Sequence, residues 1–309
     1  MKLTVMVYPK GKDPSGVDGV LTEIEAAAAA GFARIWVPQL QPAPGVASWD
    51  ALTVLGLAGS RTPDVELATG VVAAYTQHPL ALARQALTVS ATVPGRLILG
   101  IGVSHRFMVS DMLGYPYDAP AAFLREYLEV LAPALAGEPV DHHGDRITAV
   151  GQVDLSGAPA PALITAALGP RMLDVAGALT DGTIVTMTGP KALETRVIPR
   201  ISAAAEGVGR GAPQIIVGLP VVVTDDAEAA RAEILETIGQ AGDMPAYRRM
   251  LDAEGVDSIA DVCLIGDEHQ VSSRLRRFAE VGATEFVASP HGDAETRSRT
   301  TELLRSLSP

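Results

Sequence analysis

From Leu3 to Ser289 the chain alternates short apolar, β-branched runs with longer segments of helical period, and this alternation limits the fold more than any other feature. The runs are LTVMVY (3–8), ARIWVP (33–38), VELATGVV (65–72), RLILGIG (96–102), ALITAAL (162–168), GTIVTM (182–187), QIIVGLPVVVT (214–224), DVCLIG (261–266) and EFVAS (285–289). Strands this continuously apolar are buried on both faces, as in a parallel sheet covered by helices. Between and after them the periodicity predicts helices over 18–30, 50–60, 79–91, 119–135, 170–179, 190–207, 226–239, 243–253, 268–281 and 293–306. In the segment 119–135, Phe123, Leu124, Tyr127, Leu128, Leu131 and Leu135 recur at three- and four-residue spacing, so one stripe packs inward.

Eight or nine β/α units in 309 residues match an α/β chain folded as a (β/α)8 TIM barrel with a small insertion. A doubly wound open sheet is the other arrangement the pattern allows. The insertion is GEPVDHHGDRITAVGQVD (137–154), read as a β-hairpin turning at His143-Gly144-Asp145. No linker-like change of composition interrupts the chain, so 1–309 reads as a single domain.

Charge narrows the partners. With 24 Lys and Arg against 36 Asp and Glu, the net charge is −12 and the basic residues are scattered. Nucleic acid and anionic membranes need a concentrated basic face, so a small-molecule substrate fits this chain better. The single cysteine, Cys263, lies in an apolar run and reads as a core thiol in a reducing compartment. No window approaches 18 uninterrupted apolar residues, and the expected location is cytoplasmic.

In a barrel the chemistry sits at the C-terminal ends of the strands. The stretch GRLILGIGVSHRF (95–107) imitates a dinucleotide-binding turn, yet His105 stands where the third glycine belongs and the next helix waits until about residue 119. The fifth run ends in Gly169-Pro170-Arg171 and the sixth in Thr188-Gly189-Pro190. Proline at a first helical position after glycine leaves backbone N–H groups free, and two such starts on neighbouring strands suggest a phosphate cradle. Gly-Pro also punctuates ordinary turns. His142, His143 and His291 lack metal-ligand spacing partners, so no metal is expected. His78, just before Pro79, reads as structural or as an edge of a cofactor site.

The stretches GRLILGIGVSHRFMVSDMLGYPYDAPAAFLREYLEVL, AALGPRMLDVAGALTDGTIVTMTGP and GATEFVASP resemble the bacterial luciferase-like superfamily. More narrowly, they resemble its deazaflavin branch, which uses coenzyme F420 and includes methylenetetrahydromethanopterin reductase. The resemblance implies a homodimeric barrel with the cofactor across its C-terminal mouth. It implies a non-prolyl cis peptide at Gly70-Val71 behind the ring, with Gly102 and Ser104 beneath it. It also places the phosphate near Gly169, Pro170, Arg171, Thr188 and Gly189. The implied reaction is hydride transfer to or from a C=C, C=N or C=O bond, with His105 or Tyr75 supplying the proton. An FMN-dependent monooxygenase is the alternative on the same fold. Gln39-Leu40-Gln41-Pro42 departs from the acidic and histidine pattern of the sugar-phosphate dehydrogenases of this branch, which puts a sugar phosphate substrate in doubt.

Overall fold

A computed structural model describes residues 1–9, 14–42 and 46–308. The first half comprises β1 (Lys2–Met6), α1 (Val17–Ala29), β2 (Arg34–Val37), α2 (Ala51–Gly59), β3 (Glu66–Thr69), β4 (Val72–Ala73), α3 (Pro79–Thr92), β5 (Leu97–Gly102), α4 (Pro120–Leu135), β6 (Val140–His143) and β7 (Thr148–Gly151). The second half comprises β8 (Ala162–Ala166), α5 (Pro170–Leu179), β9 (Gly182–Thr186), α6 (Pro190–Ala192), α7 (Ile198–Glu206), β10 (Gln214–Val223), α8 (Ala227–Ile238), α9 (Pro245–Glu254), β11 (Leu264–Gly266), α10 (Glu268–Glu280), β12 (Glu285–Pro290) and α11 (Ala294–Leu307).

Parallel pairing runs β1-β2-β3-β5-β8-β9-β10-β12, and β12 returns to β1. The ring is therefore closed, a (β/α)8 TIM barrel, and the open-sheet alternative is excluded. The run DVCLIG adds no stave. Only its last three residues form a strand, β11, which pairs with Val221–Val223 where the ten-residue β10 overshoots the barrel. Cys263 precedes that strand, donates its thiol to the Ile259 carbonyl at 3.2 Å, and is pushed up to about 12 by burial. It is the core thiol expected.

Inside the ring, each stave contributes one residue to a single packed layer: Met6, Trp36, Ala68, Ile98, Ile164, Ile184, Ile216 and Val287. Trp36 stands beside Met6 and Ala68 in register, so the largest side chain has a small neighbour. Such alternation of volumes lets a barrel fill at native density. Gly70 belongs to the same fit. A Cβ there would lie 2.9 Å from Met6 Cε and 3.4 Å from Trp36 Cε3. Its bare Cα makes room for the barrel interior.

At the N-terminal ends of the strands, a polar network closes the barrel floor. Glu285, 2% exposed, accepts from Thr4 Oγ1 and Trp36 Nε1, both at 2.7 Å, and pairs with the Arg34 guanidinium. Arg34 also reaches Glu66 at 3.1 Å, and Lys2 reaches Glu66 at 2.7 Å.

Several boundaries depart from the sequence reading. The third run is two strands, β3 and β4, separated by a cis Gly70-Val71 bond. The expected helix 190–207 is α6 and α7 joined by a π-helical turn, Leu193–Val197. A second π-helical turn, Phe107–Met112, occupies the stretch read as loop. In the insertion, β6 and β7 form the expected hairpin, but His143 still pairs with Thr148 and the turn lies beyond it, closed by Gly144 N–H to Ile147 O at 2.9 Å.

Candidate active site

The C-terminal mouth is where strands stop and unusual backbone begins. Among the described residues, two non-glycine residues have left-handed backbone, Ser104 (φ 59°) just after β5 and Met187 (φ 51°) just after β9. L-residues held in this region are costly and cluster at functional sites. At Ser104 the turn is anchored on both sides. Tyr117 donates its hydroxyl to the Ser104 carbonyl at 2.9 Å, and the Ser104 hydroxyl reaches Met108 Sδ at 3.0 Å. The loop 104–118 thus stands as an ordered aromatic wall, with Arg106 holding the Tyr117 carbonyl at 2.8 Å.

His105 follows this turn and meets a residue that the sequence did not single out. The Tyr247 hydroxyl lies 3.3 Å from His105 Nε2, and the two rings meet edge-on with centroids 5.3 Å apart. Phe107 lies parallel to the imidazole at 6.3 Å. Burial lowers the proton affinity of His105 and pushes the Tyr247 phenol up to about 12. Tyr247 lies in α9, in the excursion between β10 and β11, 142 residues from its partner. Its only local signal is an aromatic ring among the charges of PAYRRM.

Tyr75, the other expected proton donor, is not brought to His105. It sits in a 3-10 turn and stacks on Phe123 with centroids 3.9 Å apart. Tyr117 flanks it at 5.7 Å. Burial pushes its phenol up to about 12, and its hydroxyl has no hydrogen-bond partner among the described residues. The ring is part of the wall beneath α4. Val71 and Ala166 border the inner layer from above, and a Cβ on Gly102 would meet them at 3.0 and 3.2 Å. Gly102 therefore lets Val71 and Ala166 close into an apolar floor for the mouth.

The two Gly-Pro helix starts behave differently. At Gly169-Pro170, no side chain caps the N-terminus of α5, and a Cβ on Gly169 would meet nothing within 4 Å. This end opens on a cavity of about 670 Å³ that Arg196, Arg200 and Arg249 also line. Arg200 is engaged by Asp174, whereas Arg196 and Arg249 have no ion-pair partner among the described residues. Arg171 is exposed and does not line the cavity. The cavity is lined instead by Arg196, from the π-turn, and by Arg249, from α9.

The second start is filled by the chain itself. Glu254 accepts the Ala192 N–H at 2.7 Å, and a Cβ on Gly189 would fall 2.2 Å from its carboxyl carbon. The Thr188 hydroxyl is turned to the Thr186 carbonyl at 3.0 Å. In this structure a carboxylate from α9 sits at the helix start that the sequence offered for a phosphate at Thr188 and Gly189. Glu254→Ala is expected to lose this cap and about 0.5–2 kcal/mol of stability, read as a lower urea midpoint with unchanged slope.

Two further residues of the strand ends are structural. Gln39 accepts the Ala51 N–H at 2.9 Å at the start of α2. His78 accepts the Leu80 N–H at 3.3 Å, and its Nε2 lies 3.0 Å from the Thr148 carbonyl, tying α3 to the hairpin.

Residues 3–285 match the family model described as luciferase-like monooxygenase. The chain belongs to this family. Among luciferase-like relatives, it is 27% identical over 291 residues to 5,10-methylenetetrahydromethanopterin reductase of Methanolobus tindarius, covering 85% of this chain and 87% of that protein. The luciferase-like fold recurs in an F420-dependent secondary alcohol dehydrogenase in complex with an F420-acetone adduct (TM-score 0.83, 18% identity, 98% of this chain and 97% of that one). It recurs also in the oxygenating constituent of 3,6-diketocamphane monooxygenase from Pseudomonas putida in complex with FMN (TM-score 0.76, 19% identity, 99% and 97%).

Proposed function

We propose that this protein is a coenzyme F420-dependent oxidoreductase acting on a C=C, C=N or C=O bond of a small organic substrate. The observation that carries the reading is family membership joined to sequence likeness, over 85% of the chain, to a protein named methylenetetrahydromethanopterin reductase. When bound, the deazaflavin supplies a hydride donor or acceptor.

The residues present fit such a group. The uncapped N-terminus of α5 and the guanidinium groups of Arg196 and Arg249 would hold its phosphate, because free N–H groups and unpaired cations favour an anion. Val71, Ala166 and Gly102 form an apolar floor for a planar ring. The loop 104–118, anchored by the Tyr117 and Arg106 hydrogen bonds, supplies aromatic side chains beside the mouth. His105 is the polar group at this mouth suited to meet charge that develops on the substrate. Assembly as a homodimer, which the family resemblance supports, and a cytoplasmic location, which the lack of a long apolar run supports, belong to the same reading.

Fluorescence titration of the purified protein with oxidised coenzyme F420 and, separately, with FMN tests the proposal. Saturable binding of coenzyme F420, and none of FMN, is the expected result. The reverse outcome favours the FMN monooxygenase, whose fold the camphane enzyme shares. Arg249→Ala is expected to weaken coenzyme binding roughly 10- to 100-fold, the loss of one charge-assisted hydrogen bond.

A further inference from the structure

We infer that Tyr247 is a positioning residue that holds His105 in one neutral form, with the proton on Nδ1, so that the imidazole acts as a hydrogen-bond donor and not as an imidazolium. The inference rests on the proposed hydride-transfer reading for its chemical use, but the state of the ring can be tested without it.

The geometry gives each ring nitrogen a different task. Tyr247 Oη lies 3.3 Å from Nε2 and reaches no other hydrogen-bond partner among the described residues. In a phenol–imidazole pair, the phenol is the stronger donor and the imidazole nitrogen the stronger acceptor, so the hydroxyl proton points to Nε2. A neutral imidazole that accepts at one nitrogen carries its proton on the other. The Tyr247 ring meets the imidazole edge-on, with centroids 5.3 Å apart, so the hydroxyl contact and the ring contact come from one side chain.

The surroundings agree with a neutral ring. No carboxylate contacts His105 among the described residues; its polar neighbour on α9 is a phenol. Tyr8 acts on Tyr247 from the end of β1, and Arg106 follows His105 in the chain. Neither would stabilise an imidazolium as a carboxylate does. Burial acts in the same direction.

In the reductive direction, the reduced deazaflavin would be the hydride source and would itself be oxidised by two electrons, as a C–H bond forms at the substrate carbon and the π pair moves to the adjacent atom. That charge is met by Nδ1–H, and water supplies the proton that completes the reduction. A preorganised neutral imidazole loses less on receiving developing charge than a group that must first be protonated.

The test is long-range proton–nitrogen NMR of protein labelled with ¹⁵N-histidine, near neutral pH and without cofactor. The chain has six histidines, and the His105 signals are those missing from the spectrum of His105→Gln. The wild-type ring is expected to show a protonated Nδ1 and an unprotonated Nε2. Tyr247→Phe keeps the ring contact and removes the hydroxyl, and it is expected to shift the population toward Nε2–H. A wild-type His105 carrying its proton on Nε2, or on both nitrogens, overturns the inference without needing any variant to fold. Unchanged His105 nitrogen shifts in Tyr247→Phe overturn it as well. Titration with coenzyme F420 separates the two readings: absence of binding to wild type sinks the cofactor proposal and leaves the ring assignment standing.

Discussion

Arg34→Ala is expected to lower folding stability by about 3–5 kcal/mol, the cost of leaving a buried charge without its partner. Arg34 is 7% exposed and Glu285 only 2%, so water cannot replace the guanidinium once it is removed. The Glu285 carboxylate would keep the Thr4 hydroxyl and the Trp36 indole N–H, two neutral donors, and lose the one cation that pairs with it among the described residues. Trp36 belongs to the inner layer, so disturbance of Glu285 passes directly into barrel packing. The urea midpoint is the measurement, and an unchanged slope shows that the unfolded state is unaffected. The double variant Arg34→Met with Glu285→Gln separates charge from shape. It is expected to recover most of the loss, because two neutral groups of similar volume then replace the buried Arg34–Glu285 pair, while Glu66 keeps Lys2 as its partner. A double variant as unstable as Arg34→Ala would mean that the network matters through geometry and not through charge.

His105→Ala is expected to lower kcat about 10²–10³-fold while leaving coenzyme titration unchanged, the effect of removing one donor aimed at developing charge. Equal loss in coenzyme binding would instead assign the ring to holding the cofactor. The same substitution has a pH signature in folding. Burial lowers the proton affinity of His105 below the ordinary value of 6.5, so below that pH the unfolded chain takes up a proton that the folded chain refuses. Stability therefore falls as pH drops through 6.5 toward the lowered value, and in His105→Ala this part of the acid-side slope is expected to disappear.

Much of this architecture is legible along the chain because its causes are local or periodic. Continuous apolar runs can only be buried on both faces, and helical segments of matching number can only cover them from outside. The open start at Gly169-Pro170 is equally local, since a proline at the first helical position and a glycine before it are enough to leave N–H groups free. The strand-end position of His105 follows from the run that precedes it. The break within the third run is not visible in this way, because VELATGVV carries the same apolar signal on both sides of Gly70.

What only the tertiary structure decided are meetings between distant segments. Gly189 looks as free as Gly169 in sequence, yet Glu254 closes it from the far end of α9. Arg196 and Arg249 face the Gly169 cavity together although no spacing relates them to it. Tyr247 reaches His105 because the excursion between β10 and β11 carries α9, beyond α8, to the turn that follows β5. Hydrophobic period acts over one helical turn or two strand residues and so specifies elements and their buried faces. Which side chains face one another across the mouth is set by the closure of the ring and by its excursions, and neither is encoded within a few residues of the groups they bring together.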